Sequence, residues 1–169
     1  MIRLGTKADL PAILNIVNEA KAIMRQDGNH QWDEQYPLET HFEEDIKKKS
    51  LFVLEANSTI FAFIVVDQQQ PEWYDELAWP IDRNSAYVIH RLAASSKLKG
   101  AATKLFNYAV NLALNNDILV ILTDTFALNK RAQGLFKKFD FTKVGEVNID
   151  YPPFDKGEPF YAYYKNLEE

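Results

Sequence analysis

The stretch Val88-Ile89-His90-Arg91-Leu92-Ala93-Ala94, followed shortly by Lys99-Gly100-Ala101-Ala102-Thr103-Lys104-Leu105, decides the fold of this chain. A largely apolar strand runs into a short turn bearing glycine and alanine, and the turn opens an amphipathic helix. Ala102, Leu105, Ala109, Leu112 and Ala113 recur at helical intervals, so one stripe is apolar and small enough to lie close against a sheet, while Lys104, Asn107 and Asn111 fall away from it. The first backbone N–H groups of such a helix have no partner within it. With only Gly100, Ala101 and Ala102 around them, they are open to an anion such as a phosphate. A glycine at a strand-to-helix turn also meets a purely conformational need, so a plain turn and a phosphate cradle are both compatible with these residues.

Downstream, Ile118-Leu119-Val120-Ile121-Leu122 has the β-branched content of a buried strand and leads into Thr123-Asp124-Thr125. Asn129 then precedes a helix with Ala132, Leu135, Phe136 and Phe139 on one face. That helix is expected to end near Asp140, and Phe141-Thr142-Lys143-Val144-Gly145 reads as the next strand. With these three features in this order, the chain resembles the GNAT superfamily, the Gcn5-related N-acetyltransferases, over essentially its whole length. Phe139-Asp140-Phe141 stands where that family often has Leu-Gly-Phe.

In the N-terminal half, Ile2-Arg3-Leu4 predicts a short first strand. Asp9-Leu10-Pro11 opens a helix, with Pro11 in the early turn where its missing N–H costs little, and Leu10, Ile13, Leu14, Val17, Ala20 and Met24 form its buried stripe. The helix stops near Asp27-Gly28-Asn29. A polar and aromatic connector over 30–37 leads to a second helix over about 38–49, and strands over 51–54 and 60–66 pair as a hairpin across Asn57-Ser58. The irregular stretch 67–85 is either a binding loop or an ordered insertion that covers the core. The chain ends in two antiparallel strands over 142–148 and 160–165. This order predicts an α/β fold in one domain, 1–169: a central mixed, mostly antiparallel sheet of six to seven strands flanked by helices. It is the acyl-CoA N-acyltransferase-like fold that the resemblance implies.

Composition sets limits. The 169 residues carry 47% hydrophobic and 13% aromatic side chains, enough for one substantial core. There is no Cys, which rules out a disulfide, a thiolate metal site and a cysteine nucleophile, and no metal cofactor is expected. A net charge of −5 argues against a nucleic-acid face. The one basic cluster, Lys47-Lys48-Lys49, follows Glu43-Glu44-Asp45 in the order that suits a solvated helix. No basic leader with a long apolar run opens the chain and no run reaches membrane-spanning length, so a cytoplasmic protein without a membrane partner is expected.

The resemblance implies acetyl-CoA as cosubstrate, its pyrophosphate over the amides of Gly100, Ala101, Ala102 and Thr103, and its arm paired like an added strand with the backbone of Leu92, Ala93 and Ala94. It implies a side-chain hydrogen bond from Asn129 to that arm and an oxyanion contact from the N–H of Leu92 or Ala93. The run between strand and helix is shorter than the family commonly has. Either Lys97 takes the basic position, or Lys99-Gly100 matches the first basic-glycine pair, and both lysines are then point charges for the phosphates or simply solvated.

Where many members place a Tyr as the acid, this chain has Phe136, which packs against the thioester or the core. The replacement candidates are Asp124 and Tyr161, then Tyr163, Tyr164 and His90. Alternation puts Tyr161 and Tyr163 on one face and Tyr164 on the other, and His90 on the face of Val88 and Leu92 as a core histidine. Trp32, Asp33, Glu34 and Tyr36, with Trp73, Tyr74 and Glu76, form either an aromatic and acidic pocket for a cationic amine or a structural brace. The function implied is direct acetyl transfer from acetyl-CoA to a primary amine of a small molecule or peptide. The alternatives are a non-catalytic acyl-CoA-binding sensor and an interaction domain without cofactor. A homodimer is left open.

Overall fold

The computed structural model describes residues 1–168. Seven strands form one sheet: β1 (Ile2–Leu4), β2 (Leu51–Ala56), β3 (Thr59–Asp67), β4 (Tyr87–Ala94), β5 (Val120–Phe126), β6 (Thr142–Val147) and β7 (Phe160–Asn166). Their order across the sheet is β1-β2-β3-β4-β5-β7-β6. Every neighbouring pair is antiparallel except β4 and β5. That one parallel pair requires a crossover, supplied by α3 (Ala101–Asn115). The helices α1 (Leu10–Gln26) and α2 (Glu39–Lys47) pack on what we term the front of the sheet, and α3 and α4 (Lys130–Lys138) on the rear. No helix among the described residues is long and apolar enough to cross a membrane.

Local signals in the chain account for most boundaries. Asn57 and Ser58 take φ of 52° and 61°, the left-handed pair that a two-residue hairpin needs to match strand twist. Helix α1 buries Leu10, Ile13, Ile16 and Val17, adding Ile16 to the expected stripe, while Leu14, Ala20 and Met24 are partly buried against the same cluster. Helix α3 buries Ala101, Leu105, Phe106, Ala109 and Ala113 under β3, β4 and β5.

One boundary differs from the sequence expectation. Ile118 does not begin β5, because its N–H bonds back to Ala113 O at 2.8 Å with Asp117 at φ 58°, closing α3 with a left-handed cap. The strand starts at Val120 instead and carries Thr123, Asp124 and Thr125 within it.

A second difference lies in β4. Its register against β3 passes from Val65↔Arg91 to Val66↔Ile89, leaving His90 as an extra residue in a bulge. His90 and Arg91 therefore both project to the front, where they meet Asp67, Asp45 and Tyr36, and Leu92 faces the rear core. His90 shares the face of Val88 but not that of Leu92, because the bulge breaks the period of two. The irregular stretch 67–85 is an ordered cover: its 3-10 turn Glu72–Glu76 buries Trp73 and Tyr74 against Val88, Leu122 and Phe126 at the front of the C-terminal half.

Candidate active site

Strands β4 and β5 pair only from Tyr87↔Ile121 to Ile89↔Thr123. Beyond that point β4 stays with β3 as far as Ala94↔Ala62, and β5 stays with β7 as far as Phe126↔Phe160, so the sheet splits and a slot opens between them. At its apex Thr123 Oγ1 donates to Ile89 O at 2.9 Å. Ser95 N–H donates to Phe61 O at 2.7 Å, and the alternation of an antiparallel ladder then turns the backbone groups of Ala93 and Arg91 toward β3. Those of Leu92 and Ala94 are left facing the slot. Of the three residues expected to offer their backbone, Ala93 is thus committed elsewhere, and its methyl is buried in the front core.

Gly100 sits at φ 79° as the N-cap of α3, and a Cβ built there would meet nothing within 4 Å. The first helical bond runs from Lys104 N to Gly100 O at 3.1 Å, so the N–H groups of Ala101, Ala102 and Thr103 lie in the first turn without helical acceptors. Lys97 and Lys99 are exposed nearby, and Lys138 Nζ lies 3.4 Å from Thr103 Oγ1. These features fit a pyrophosphate. One neighbour works against it. Glu19 Oε1 takes the Ser96 N–H at 2.8 Å and the Ser96 hydroxyl at 2.7 Å, and these hydrogen bonds hold the Glu19 carboxyl below its ordinary range.

A cavity of about 80 Å³ lies in the slot, with Leu92, Asp124, Asn129 and Phe136 in its wall. Phe136 is buried and stacks edge-on against Tyr163 at 5.0 Å, so it is a core residue that also lines the slot. The Asn129 side chain is engaged on both atoms: Oδ1 caps α4 by accepting from Ala132 N at 3.0 Å, and Nδ2 donates to Gln31 Oε1 at 2.7 Å.

Tyr161 is not brought to Asp124. It pairs with Thr125 and packs against the rear core, with Lys143 Nζ 3.5 Å from its ring centre, whereas Asp124 pairs with Ala162 and meets Tyr74 at the front. Tyr163 joins the rear core and Tyr164 the front cluster, as strand alternation requires.

A second cavity, of about 100 Å³, opens at the front and is walled by Trp32, Tyr36, Trp73 and Phe154 with His90 and Asp124. The two cavities share Gln31, Trp32, His90 and Asp124. Tyr74 Oη donates to Asp124 Oδ2 at 2.6 Å. Burial pushes the Asp124 carboxyl up to about 6, while the Tyr74 hydrogen bond and the nearby His90 pull it down. His90 Nε2 is 2.6 Å from Asp67 Oδ1.

The acidic residues expected around the amine mostly turn away. Asp33 is held by Lys156 Nζ at 2.7 Å, and Glu34 and Glu76 are exposed. Asp124 is the carboxylate that lines both spaces. Arg91 and Gln31 were not foreseen. Arg91 is largely buried between Asp45 and the Tyr36 hydroxyl, and a charge inside an apolar strand is itself the signal that such partners exist. Gln31 carries no sequence signal. Among the described residues, no group of three or more His, Asp or Glu is placed to hold a metal ion.

The profile of the Acetyltransferase (GNAT) family matches residues 13–141. A Staphylococcus aureus Mu50 protein classed as an acetyltransferase is 54% identical, with 99% of each chain covered and a TM-score of 0.79. A GNAT-family acetyltransferase of Streptococcus agalactiae 2603 superposes with a TM-score of 0.84 at 22% identity, covering 100% of this chain and 96% of that one. The ribosomal-protein-S18-alanine N-acetyltransferase of Escherichia coli gives 0.68 at 15% identity, with 99% and 93% covered. Both of these show likeness of fold alone. No curated protein matches in sequence.

Proposed function

The chain belongs to the GNAT family of acetyltransferases and is an N-acetyltransferase, and from that premise we propose that it moves the acetyl group of acetyl-CoA directly to a primary amine. The observation that carries this reading is the slot beyond Ile89↔Thr123, where β5 no longer pairs with the backbone of Leu92 and Ala94, followed in the chain by the open first turn of α3. Leu92 and Ala94 would hold the arm by strand-like hydrogen bonds, and the amides of Ala101, Ala102 and Thr103 with Lys97 and Lys99 would hold the pyrophosphate. The cosubstrate supplies an acetyl thioester.

The residues of the chain then divide the work. The Leu92 N–H faces the slot and can stabilise the carbonyl oxygen as it gains charge. Asp124, between the two cavities, takes one proton from the arriving ammonium, directly or through one water, leaving a neutral nucleophile. The N–C bond forms as the C–S bond breaks. The amine nitrogen gives up its second proton to water as the amide forms, and the leaving thiolate takes up one proton, so that one proton in all is released to solvent. No tyrosine stands at the Phe136 position to deliver that last proton, so it comes from solvent or from the proton held at Asp124. The single domain over 1–169 and a cytoplasmic setting belong to the same reading.

Calorimetric and thermal-shift titration with acetyl-CoA tests it, with Gly100→Glu and Gly100→Ala side by side. Both variants bear the strain of a left-handed residue, but only the glutamate puts charge and bulk over the first turn. Retained binding in Gly100→Ala and loss of at least about tenfold in Gly100→Glu are expected. An unmodified protein that shows neither heat nor a thermal shift would overturn the cosubstrate reading.

A further inference from the structure

We infer that the acceptor is a compact cationic amine without a carboxylate, such as an arylalkyl or alkyl amine, seated in the front cavity with its nitrogen at Asp124. The inference rests on the acetyl-transfer reading and names the substrate class of that same site. Three observations carry it.

The first is the wall. Trp32, Tyr36 and Trp73 are buried and present their rings to a space of about 100 Å³, the size of a small ring or a short alkyl chain. The apolar body of an amine is matched there, and an ammonium near aromatic faces gains a cation–π attraction.

The second is charge. The titratable groups in the cavity wall are Asp124, His90, Tyr36 and Tyr151, and no Lys or Arg is among them. Arg91 lines the adjoining slot cavity and not this one, with its two terminal nitrogens on Asp45 and Tyr36 and its Nε unpartnered among the described residues, and Lys156 is held by Asp33. Tyr151 stands at the mouth, half its surface free, with its hydroxyl pushed up by burial and by the carboxylates of Glu72, Asp124, Asp150 and Glu76. An α-amino acid seated in this cavity would carry its carboxylate within two bonds of the reacting nitrogen, next to Asp124 and with no Lys or Arg in the cavity wall to receive it.

The third is closure. The connector and the loop before β7 are clasped over the front: Lys156 Nζ meets Asp33 Oδ2 at 2.7 Å, His30 Nε2 donates to Lys156 O at 3.0 Å, and Phe154 packs edge-on against Tyr36 at 5.1 Å. A peptide N-terminus brings a chain of amides that would have to pass this clasp, whereas a small amine does not.

The test compares matched pairs with saturating acetyl-CoA: phenethylamine against phenylalanine, tyramine against tyrosine, and cadaverine against lysine, with a short alanine-led peptide alongside. In each pair that turns over, the decarboxylated member is expected to have at least a tenfold higher kcat/KM, carried mainly by KM. Trp73→Phe keeps the aromatic core and trims the wall. It is expected to raise KM for phenethylamine severalfold with kcat within about twofold. Amino acids or the peptide matching or exceeding the amines would overturn the inference. Acetyl-CoA binding by calorimetry with no acetylation anywhere in the panel would also overturn it while leaving the cosubstrate reading in place. Absence of acetyl-CoA binding would instead strike that reading itself.

Discussion

Gln31 and Asn129 are joined across the slot between β4 and β5: Gln31 Oε1 accepts from Asn129 Nδ2 at 2.7 Å, and the same oxygen accepts from Thr125 Oγ1 at 3.0 Å. A carboxamide from the front connector therefore occupies donors at the start of α4 and on β5. The segment is pinned beside it by the ion pair of Asp27 with Arg131 and by the edge contact of His30 with Phe126.

If the arm of acetyl-CoA runs along Leu92 and Ala94, one of its carbonyls competes with Gln31 for these donors. Gln31→Ala frees Asn129 and Thr125 at the cost of leaving them unsatisfied in the empty protein. Calorimetry is expected to show acetyl-CoA bound between about twofold and tenfold more tightly, the equivalent of one net hydrogen bond, with the free protein melting a few degrees lower. Unchanged affinity would mean that Gln31 only braces the connector.

With Asp124 as the proposed base, stability and activity are expected to pull in opposite directions. Its folded carboxyl keeps its proton up to about pH 6, against an ordinary value of 3.8, so the folded state binds the extra proton between those values. The unfolding free energy must fall as pH rises through that window and stay lower above it. Asp124→Asn can still accept from Tyr74 and carries no charge. It is expected to be more stable than the unmodified protein at pH 8, by on the order of 2 kcal/mol once water entering from the cavities is allowed for, and no more stable at pH 4. Its acetylation rate should fall by two or more powers of ten. Urea unfolding at the two pH values checks the first half, and equal gains at both would show that the carboxylate is not the cause.

The frame of the fold was legible because it is written locally. The hairpin at Asn57-Ser58, the stripe of α1 and the small-residue face of α3 each depend on neighbours a few residues away. The site depends on where strands part company, and that is not local. The bulge at His90 inverts one face assignment, the ladder to β3 claims the backbone of Ala93, and the twin roles of Asn129 come from a glutamine 98 residues earlier in the chain. Alternation sorted Tyr161 and Tyr163 from Tyr164 correctly, but nothing in the spacing said that Asp124 would face the opposite side of the sheet from Tyr161.

Asp140 ends α4 at φ 63°, with Phe141 N bonded back to Phe136 O at 3.0 Å, at the position where glycine is common in the family. Aspartate tolerates this conformation and a β-branched residue does not. Asp140→Gly is expected to unfold within about 0.5 kcal/mol of the unmodified protein, and Asp140→Val about 1 to 2 kcal/mol earlier. Equal losses in both would place the contribution of Asp140 in its charge rather than its backbone.

Tyr74 supplies the one hydrogen bond that Asp124 makes to another side chain among the described residues, and that bond at 2.6 Å lowers the carboxyl against the upward push of burial. Tyr74→Phe removes the hydroxyl and keeps the ring between Trp73 and Trp79, whose indole N–H bonds the Tyr74 carbonyl rather than its side chain. Without the donor, the carboxylate form loses more than the acid form, so the Asp124 pKa rises. The acid limb of the kcat/KM profile, expected near pH 6 in the unmodified protein, then moves upward by about one unit, because one charge-assisted hydrogen bond is of that size. At pH well above both limbs the two proteins are expected to approach the same rate. A general loss with an unmoved limb would mean that Tyr74 holds the loop and not the proton, and a limb absent from both profiles would remove Asp124 as the base.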